Sequence, residues 1–252
     1  TGTKEGCAEG GCGACTVVLG ELKNNEINYN AVNSCIMFLP TIQGKQLILV
    51  EDLFSKDGSL HPVQQAMVSY HGSQCGFCTP GFVMSLFSMF KNHTRFKDNI
   101  IKDSIAGNLC RCTGYQPIIK AAKNLNSKNK IDHFVQNKQN TINLLQQIKD
   151  ENIVIYKKDK KYFAPRNVRE LKKILKRNVN SHLLSGGTDL SLVVTKERKD
   201  INSLIYMNSI NELNYIKNNN KYIEVGATTP LIDFKSYIEK YYPDFTAILK
   251  RY

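Results

Sequence analysis

The sequence predicts a multidomain α+β chain, and three observations carry that prediction. A length of 252 residues calls for two or three domains rather than one. Composition divides the chain, because all eight cysteines lie between Cys7 and Cys112, whereas residues 121–252 hold 24 Lys and Arg against 13 Asp and Glu. Apolar spacing alternates between short helical patterns and short strands that run into glycine turns. Hydrophobic residues at 42% and charged residues at 22% exclude wholesale disorder. No apolar run approaches the roughly 20 residues of a bilayer-spanning helix. The chain starts at Thr1 and stops at Tyr252 just after a helical pattern, so a fragment missing both ends is expected, with no signal peptide in view.

The first element is a glycine-rich thiol loop. Cys7-x4-Cys12-x2-Cys15 is followed after nineteen residues by Cys35, with Gly6, Gly10, Gly11 and Gly13 among the thiols. This is the plant-type spacing of a [2Fe–2S] cluster. A short loop has to curl around an anionic centre, and glycine lets backbone N–H groups turn toward the sulfurs. Cys35 then comes from a separate segment to close the second iron. Eight cysteines also allow disulfides, but Cys12 and Cys15 share one tight loop, and a chain of this size needs no staples. Zinc sites pair two C-x2-C hooks, which C-x4-C-x2-C is not.

A helical region follows. Leu60-His61-Pro62 opens the pattern Val63, Met67, Tyr70, which ends at Gly72. Cys75-Gly76-Phe77-Cys78 runs into Thr79-Pro80-Gly81, and Phe82, Val83, Leu86, Phe87 and Phe90 share one helical face. Cys110-Arg111-Cys112 precedes Thr113-Gly114-Tyr115-Gln116-Pro117 and a further helix from Ile118. Thiolates beside two helix N-termini suit an anionic centre, since unpaired N–H groups gather there. Taken alone, this second group leaves a zinc knot open.

Read together, the runs Thr1–Cys7, Gly10–Val17, Gln74–Gly81 and Gly107–Tyr115 closely resemble the iron–sulfur part of the xanthine dehydrogenase/molybdenum hydroxylase family, over residues 1–124 with all eight ligand positions occupied. The resemblance implies a partial β-grasp, ferredoxin-like [2Fe–2S] domain over residues 1–53, whose opening strands precede Thr1 in the family. It implies a four-helix [2Fe–2S] domain over residues 54–124, lying next to a molybdopterin cofactor in a partner subunit or domain. Gln74 matches the glutamine beside the molybdopterin, and Cys112 the ligand closest to it.

Residues 125–160 read as a polar, Asn/Lys/Gln-rich linker interrupted by one short helical pattern at Asn143–Ile148. From Tyr162-Phe163-Ala164-Pro165 order returns. Asn167 and Glu170 form a capping signal, and Val168, Leu171, Ile174 and Leu175 give the helix an apolar face. A strand at His182 then runs into Ser185-Gly186-Gly187-Thr188 and an apolar segment, Leu190 to Val194. A second turn, Gly226 to Pro230, follows a strand at Tyr222–Val225 and opens another helix. Such turns offer backbone N–H groups to a diphosphate. Neither is the G-x-G-x-x-G of a Rossmann unit, so NAD binding is not read from them. The pattern resembles the flavin domain of the same family, of the vanillyl-alcohol-oxidase/CO-dehydrogenase flavoprotein type, begun here over residues 161–252. That resemblance makes Leu183, Leu184, Ser185, Gly186, Gly187, Thr188, Asp189 and Leu190 FAD contacts.

No nucleophile–base pair or paired-carboxylate site is visible, so no catalytic residue is assigned. The histidines lack metal-like spacing, and Tyr115 reads as packing. Lysines interleaved with asparagines, without aromatic platforms, read as solvated surface, so neither nucleic acid nor membrane is an expected partner. The resemblance implies electron flow from molybdopterin through the Cys75/Cys78/Cys110/Cys112 cluster, the Cys7/Cys12/Cys15/Cys35 cluster and FAD to NAD⁺. It points to a cytoplasmic enzyme assembled as a homodimer or a higher oligomer of heterodimers. An aldehyde or N-heterocycle oxidoreductase with the same electron chain, a stand-alone ferredoxin-like carrier and a zinc-stabilised module are the rival readings.

Overall fold

The computed structural model describes residues 2–55, 57–125, 132–148, 151–219 and 221–249. The chain forms two compact units, Thr1–Lys149 with Thr195–Glu197, and Asp150–Val194 with Arg198–Tyr252.

The first unit begins with strand β1 (Thr16–Lys23), which turns through Asn24 and Asn25 into antiparallel β2 (Glu26–Asn33). Both asparagines have positive φ, 52° and 60°, as a two-residue turn matched to strand twist requires. A short β3 (Gln46–Ile48) pairs with the other side of β1, giving the order β2-β1-β3. Val18, Ile27, Tyr29 and Ile48 point from this sheet into the core.

Four helices follow: α1 (Pro62–Ser69), α2 (Thr79–Asn92), α3 (Asp98–Ile105) and α4 (Gln116–Lys123). His61 caps α1: its Nδ1 accepts the Val63 amide, while its own amide donates to Gln64 Oε1, closing a capping box. The apolar spacing on α2 predicts one buried face, but Met84, Ser85 and Met89 are buried as well. The reason is that α2 is the pillar of the unit, packed against β1, β2, α1 and α3.

The stretch read as a linker differs in structure. Within it lie α5 (His133–Gln136) and α6 (Lys138–Gln147), and Phe134 and Ile142 join the core of the first unit. Part of the expected 143–148 helix lies in α6. Asp132, buried at 7% exposure, caps α5 through the Val135 amide and also meets His61 Nε2 at 3.0 Å and Lys91 Nζ at 3.0 Å. Since His61 Nδ1 is an acceptor, the Nε2–H donates to Asp132. Burial alone would raise the Asp132 pKa, but the His61 bond and the Lys91 charge outweigh it and hold the carboxyl at about 2.

In the second unit β4 (Ile153–Lys157) and β5 (Lys160–Ala164) form a hairpin. Helix α7 (Val168–Arg177) starts at Asn167, whose Oδ1 accepts the Glu170 amide at 2.9 Å as the capping signal predicts. Then come β6 (His182–Leu184), α8 (Leu190–Thr195) and β7 (Ser203–Tyr206). The sheet order is β4-β5-β7-β6, with β7 parallel to both β5 and β6. Leu171 of α7 packs on Phe163, Ile205 and Ile210. A small pair, β8 (Ile216–Asn218) and β9 (Ile223–Val225), precedes α9 (Leu231–Ile238) and α10 (Pro243–Leu249). Among the described residues no helix is long and apolar enough to cross a membrane.

Asp132→Ala would leave Lys91 and His61 buried against a hole. It is expected to cost about 3 kcal/mol in urea unfolding, the usual penalty for removing one member of a buried ion pair. A depressed carboxyl stabilises the fold above its unfolded pKa of about 3.9, so this contribution should be lost as pH falls from about 4 toward 2 and be absent from the variant.

Candidate metal centres and nucleotide turn

All eight cysteines are free thiols. The first loop folds over its own sulfur, with the Gly11 and Cys12 amides each 3.3 Å from Cys7 Sγ. Asn33, at the end of β2, ties the loop down by donating from Nδ2 to Gly10 O at 2.8 Å. Cys35 sits in the single turn Ser34–Ile36, and Ser34 anchors that turn to Cys15 O at 2.8 Å. Cys35 is thereby brought beside Cys15.

The second group is built on helix starts. Cys78 is the N-cap of α2, and Pro80 occupies its first turn. Cys110 and Cys112 lie in the loop entering α4, whose N-cap is Tyr115. Cys75 and Cys112 are exposed, as are Phe77, Leu109 and Gln74. Tyr115 does more than pack, because its hydroxyl accepts the Cys110 amide at 3.0 Å.

The two loops are fastened to each other. The Leu109 amide donates to Cys12 O at 2.9 Å. Asn108, 3% exposed, donates to Gly13 O at 3.0 Å and Thr16 Oγ1 at 3.2 Å, and accepts from Ser85 Oγ at 2.6 Å. Gly13 has φ 68°, and a Cβ there would lie 2.2 Å from Gly107 O. Neither Asn33 nor Asn108 was readable as a site residue, because a buried Asn and a surface Asn look alike in sequence.

Among the described residues no three His, Cys, Asp or Glu side chains converge on a single ion. The thiols meet two by two instead. Burial opposes ionisation of Cys7, but the Glu9 amide and its bond with the Cys12 thiol outweigh it and bring Cys7 to about 7. Burial pushes Cys35 to about 12, and its bond to Cys15 adds to the rise. Burial of Cys110 is outweighed by the Thr113 hydroxyl and amide, which bring it to about 7, while burial and the Cys110 thiol push Cys78 to about 12. The Phe77 amide and the Cys112 thiol lower Cys75, and the same thiol pair raises Cys112. Adjacent thiols share a proton because two thiolates side by side repel. A cation replaces that proton and lets both ionise. Two thiols per iron is also what a four-cysteine [2Fe–2S] site needs, so the donor set fits such a group.

In the second unit the expected FAD turn lies at the end of β6. Leu184 is buried and Leu183 half exposed. Gly187, at φ 85°, accepts the Ser191 amide at 2.9 Å. Ser185 Oγ donates to Asn208 Oδ1 at 2.9 Å and reaches Ala227 O at 3.5 Å, which brings the two glycine turns together. Gly186, Thr188 and Asp189 complete the connection to Leu190, where α8 begins. In the second turn Thr228 is 6% exposed, yet its Oγ1 has no partner among the described residues. An unpaired buried hydroxyl between backbone turns suits a polar ligand such as a diphosphate-bearing flavin.

Comparison with known proteins finds two matching domain families. Residues 49–123 match the [2Fe-2S] binding domain family, and residues 156–252 match the FAD binding domain in molybdopterin dehydrogenase. Xanthine dehydrogenase from Emericella nidulans is 29% identical over 94% of this chain and 21% of its own length. Aldehyde oxidase 1 from Oryctolagus cuniculus is 42% identical over 60% of this chain and 12% of its own. Quinoline 2-oxidoreductase from Pseudomonas putida 86 is 30% identical, covering 52% of this chain and 78% of that one, with a TM-score of 0.45. The chain thus spans about a fifth or less of the curated relatives. These matches make it an iron–sulfur flavoprotein, an oxidoreductase or part of one. It carries a [2Fe-2S] binding domain and the FAD binding domain found in molybdopterin dehydrogenase.

Gly13→Ala would force a side chain into a left-handed backbone position and against Gly107 O. Iron and acid-labile sulfide assays of the purified variant should show content reduced by about half or more, since the loop could no longer seat against its neighbour.

Proposed function

We propose that this chain is the electron-transfer portion of a xanthine dehydrogenase-type molybdenum hydroxylase. The observation that carries the reading is the arrangement of eight thiols as two sets of two pairs. Cys7 with Cys12 and Cys15 with Cys35 would hold one [2Fe–2S] cluster, and Cys75 with Cys112 and Cys78 with Cys110 the other. When bound, the clusters supply single-electron carriers and the flavin a two-electron carrier between a molybdopterin centre on a partner unit and cytoplasmic NAD⁺.

Residues 1–53 are assigned to a partial β-grasp domain and residues 54–124 to a four-helix domain, with α5 and α6 an extension of the same unit before the FAD-binding domain of residues 161–252. Residues 183–190 are assigned to the flavin diphosphate, helped by Thr228. The second thiol set is placed toward the molybdopterin partner, because Cys75, Cys112, Gln74, Phe77 and Leu109 are exposed there. Beside them lies a hollow of about 430 Å³ lined by Leu60, Met67, Val68, Pro80 and Val83. Cys15 is buried, which supports an inner position for the first set. Xanthine is favoured over aldehydes or other N-heterocycles because the Emericella nidulans relative aligns across 94% of the chain. The expected assembly is a homodimer or a larger oligomer of heterodimers.

Anaerobically purified protein should contain about four irons and four acid-labile sulfides per chain. Stoichiometric zinc without labile sulfide would sink the proposal. Gly187→Val places a β-branched residue at φ 85° with its Cβ 2.9 Å from Leu184 Cδ1. Backbone strain of about 1–3 kcal/mol should weaken FAD retention about tenfold or more. Visible spectra would show the flavin bands reduced and the iron–sulfur bands unchanged.

A further inference from the structure

A ring of hydrogen bonds closes around Cys110. Its amide donates to the Tyr115 hydroxyl at 3.0 Å, and the Tyr115 amide donates to Thr113 Oγ1 at 3.2 Å. Thr113 Oγ1 lies 3.2 Å from Cys110 Sγ, and the Thr113 amide lies 3.5 Å from the same sulfur. The direction of the hydroxyl proton follows. The Tyr115 amide occupies a lone pair of Oγ1, and a ligating thiolate can only accept, so the hydroxyl hydrogen goes to the sulfur.

This ring holds Tyr115 at φ 67°, ψ −26°, a left-handed conformation that bulky residues avoid. Such strain costs about 1–3 kcal/mol and persists only where the surroundings over-determine it. Here the phenol, the amide and the ring packing edge-on against Phe82 at 6.1 Å fix it together. In the first thiol set, by contrast, Cys7 Sγ receives two backbone amides.

We propose that Thr113 and Tyr115 are positioning residues: Tyr115 locks Thr113 so that its hydroxyl donates to the Cys110 sulfur, and this donor raises the reduction potential of the [2Fe–2S] centre that Cys110 helps to hold. The proposal rests on Cys75, Cys78, Cys110 and Cys112 forming one ligand set. Reduction adds negative charge that is shared with the sulfurs, so a hydrogen bond to sulfur stabilises the reduced form more than the oxidised one.

The test is an EPR-monitored redox titration of the anaerobically purified chain and of Thr113→Val, Thr113→Ser and Tyr115→Phe. Two [2Fe–2S] signals are expected. One midpoint should fall in Thr113→Val and return in Thr113→Ser, while the other stays fixed. Tyr115→Phe keeps the ring but frees the Cys110 amide, and should lower the same midpoint. Unmoved midpoints with both signals intact would overturn the proposal, as would an equal fall in Thr113→Ser and Thr113→Val. If Thr113→Val fails to retain its centre, Tyr115→Phe decides alone, an unshifted midpoint overturning the idea. Absence of any [2Fe–2S] signal from the unvaried chain would instead refute the ligand assignment beneath it.

Discussion

The carbonyls of Cys12 and Gly13 point out of one cysteine loop and into the other, where the Leu109 amide and the Asn108 carboxamide meet them. Each contact joins residues more than 90 positions apart, and each sits beside a thiol. Asn108 is buried, so losing a partner would strand a polar group at a cost of about 1–3 kcal/mol. Much else follows from that fastening. Gly81 in the first turn of α2 has to be bare, since a Cβ there would lie 2.1 Å from Gly13 O. The start of α2, and Cys78 with it, is therefore held against the first loop.

Charge imposes the complementary constraint. Neighbouring thiols cannot all ionise alone, and in the second site the bond between Cys78 and Cys110 leaves the Cys110 sulfur favoured as thiolate and the Cys78 sulfur as thiol. The Gly11 and Cys12 amides point at Cys7 Sγ, and the Thr113 hydroxyl and amide lie against Cys110 Sγ. The polypeptide thus places hydrogen-bond donors where negative charge on sulfur would gather.

The cysteine loops were legible because glycine and thiol spacing is local: the chain writes Cys7-x4-Cys12-x2-Cys15 in nine consecutive residues. Which thiols pair was not, since Cys75 meets Cys112 only after α2, α3 and α4 have packed. The capping of α7 by Asn167 and the turn at Gly187 were readable for the same local reason. The burial of α2 on nearly all sides was hidden, because Met84 and Met89 gain their neighbours from distant strands and helices. The Asn24-Asn25 turn carried a usable signal in two adjacent residues that tolerate positive φ, and it was missed. Residues 132–148 looked like a linker because they contribute two core side chains, Phe134 and Ile142, too few for a visible period.

The Asp132 cap shifts the place where the gene can be divided. A boundary drawn after α4, where the iron–sulfur family match ends at residue 123, would remove the carboxylate from Lys91 and His61 and strip two apolar residues from the core. A recombinant iron–sulfur half that keeps the chain through Gln147 retains both. The compact unit extends beyond the iron–sulfur family match, and truncations planned from that match alone would expose apolar surface prone to precipitation.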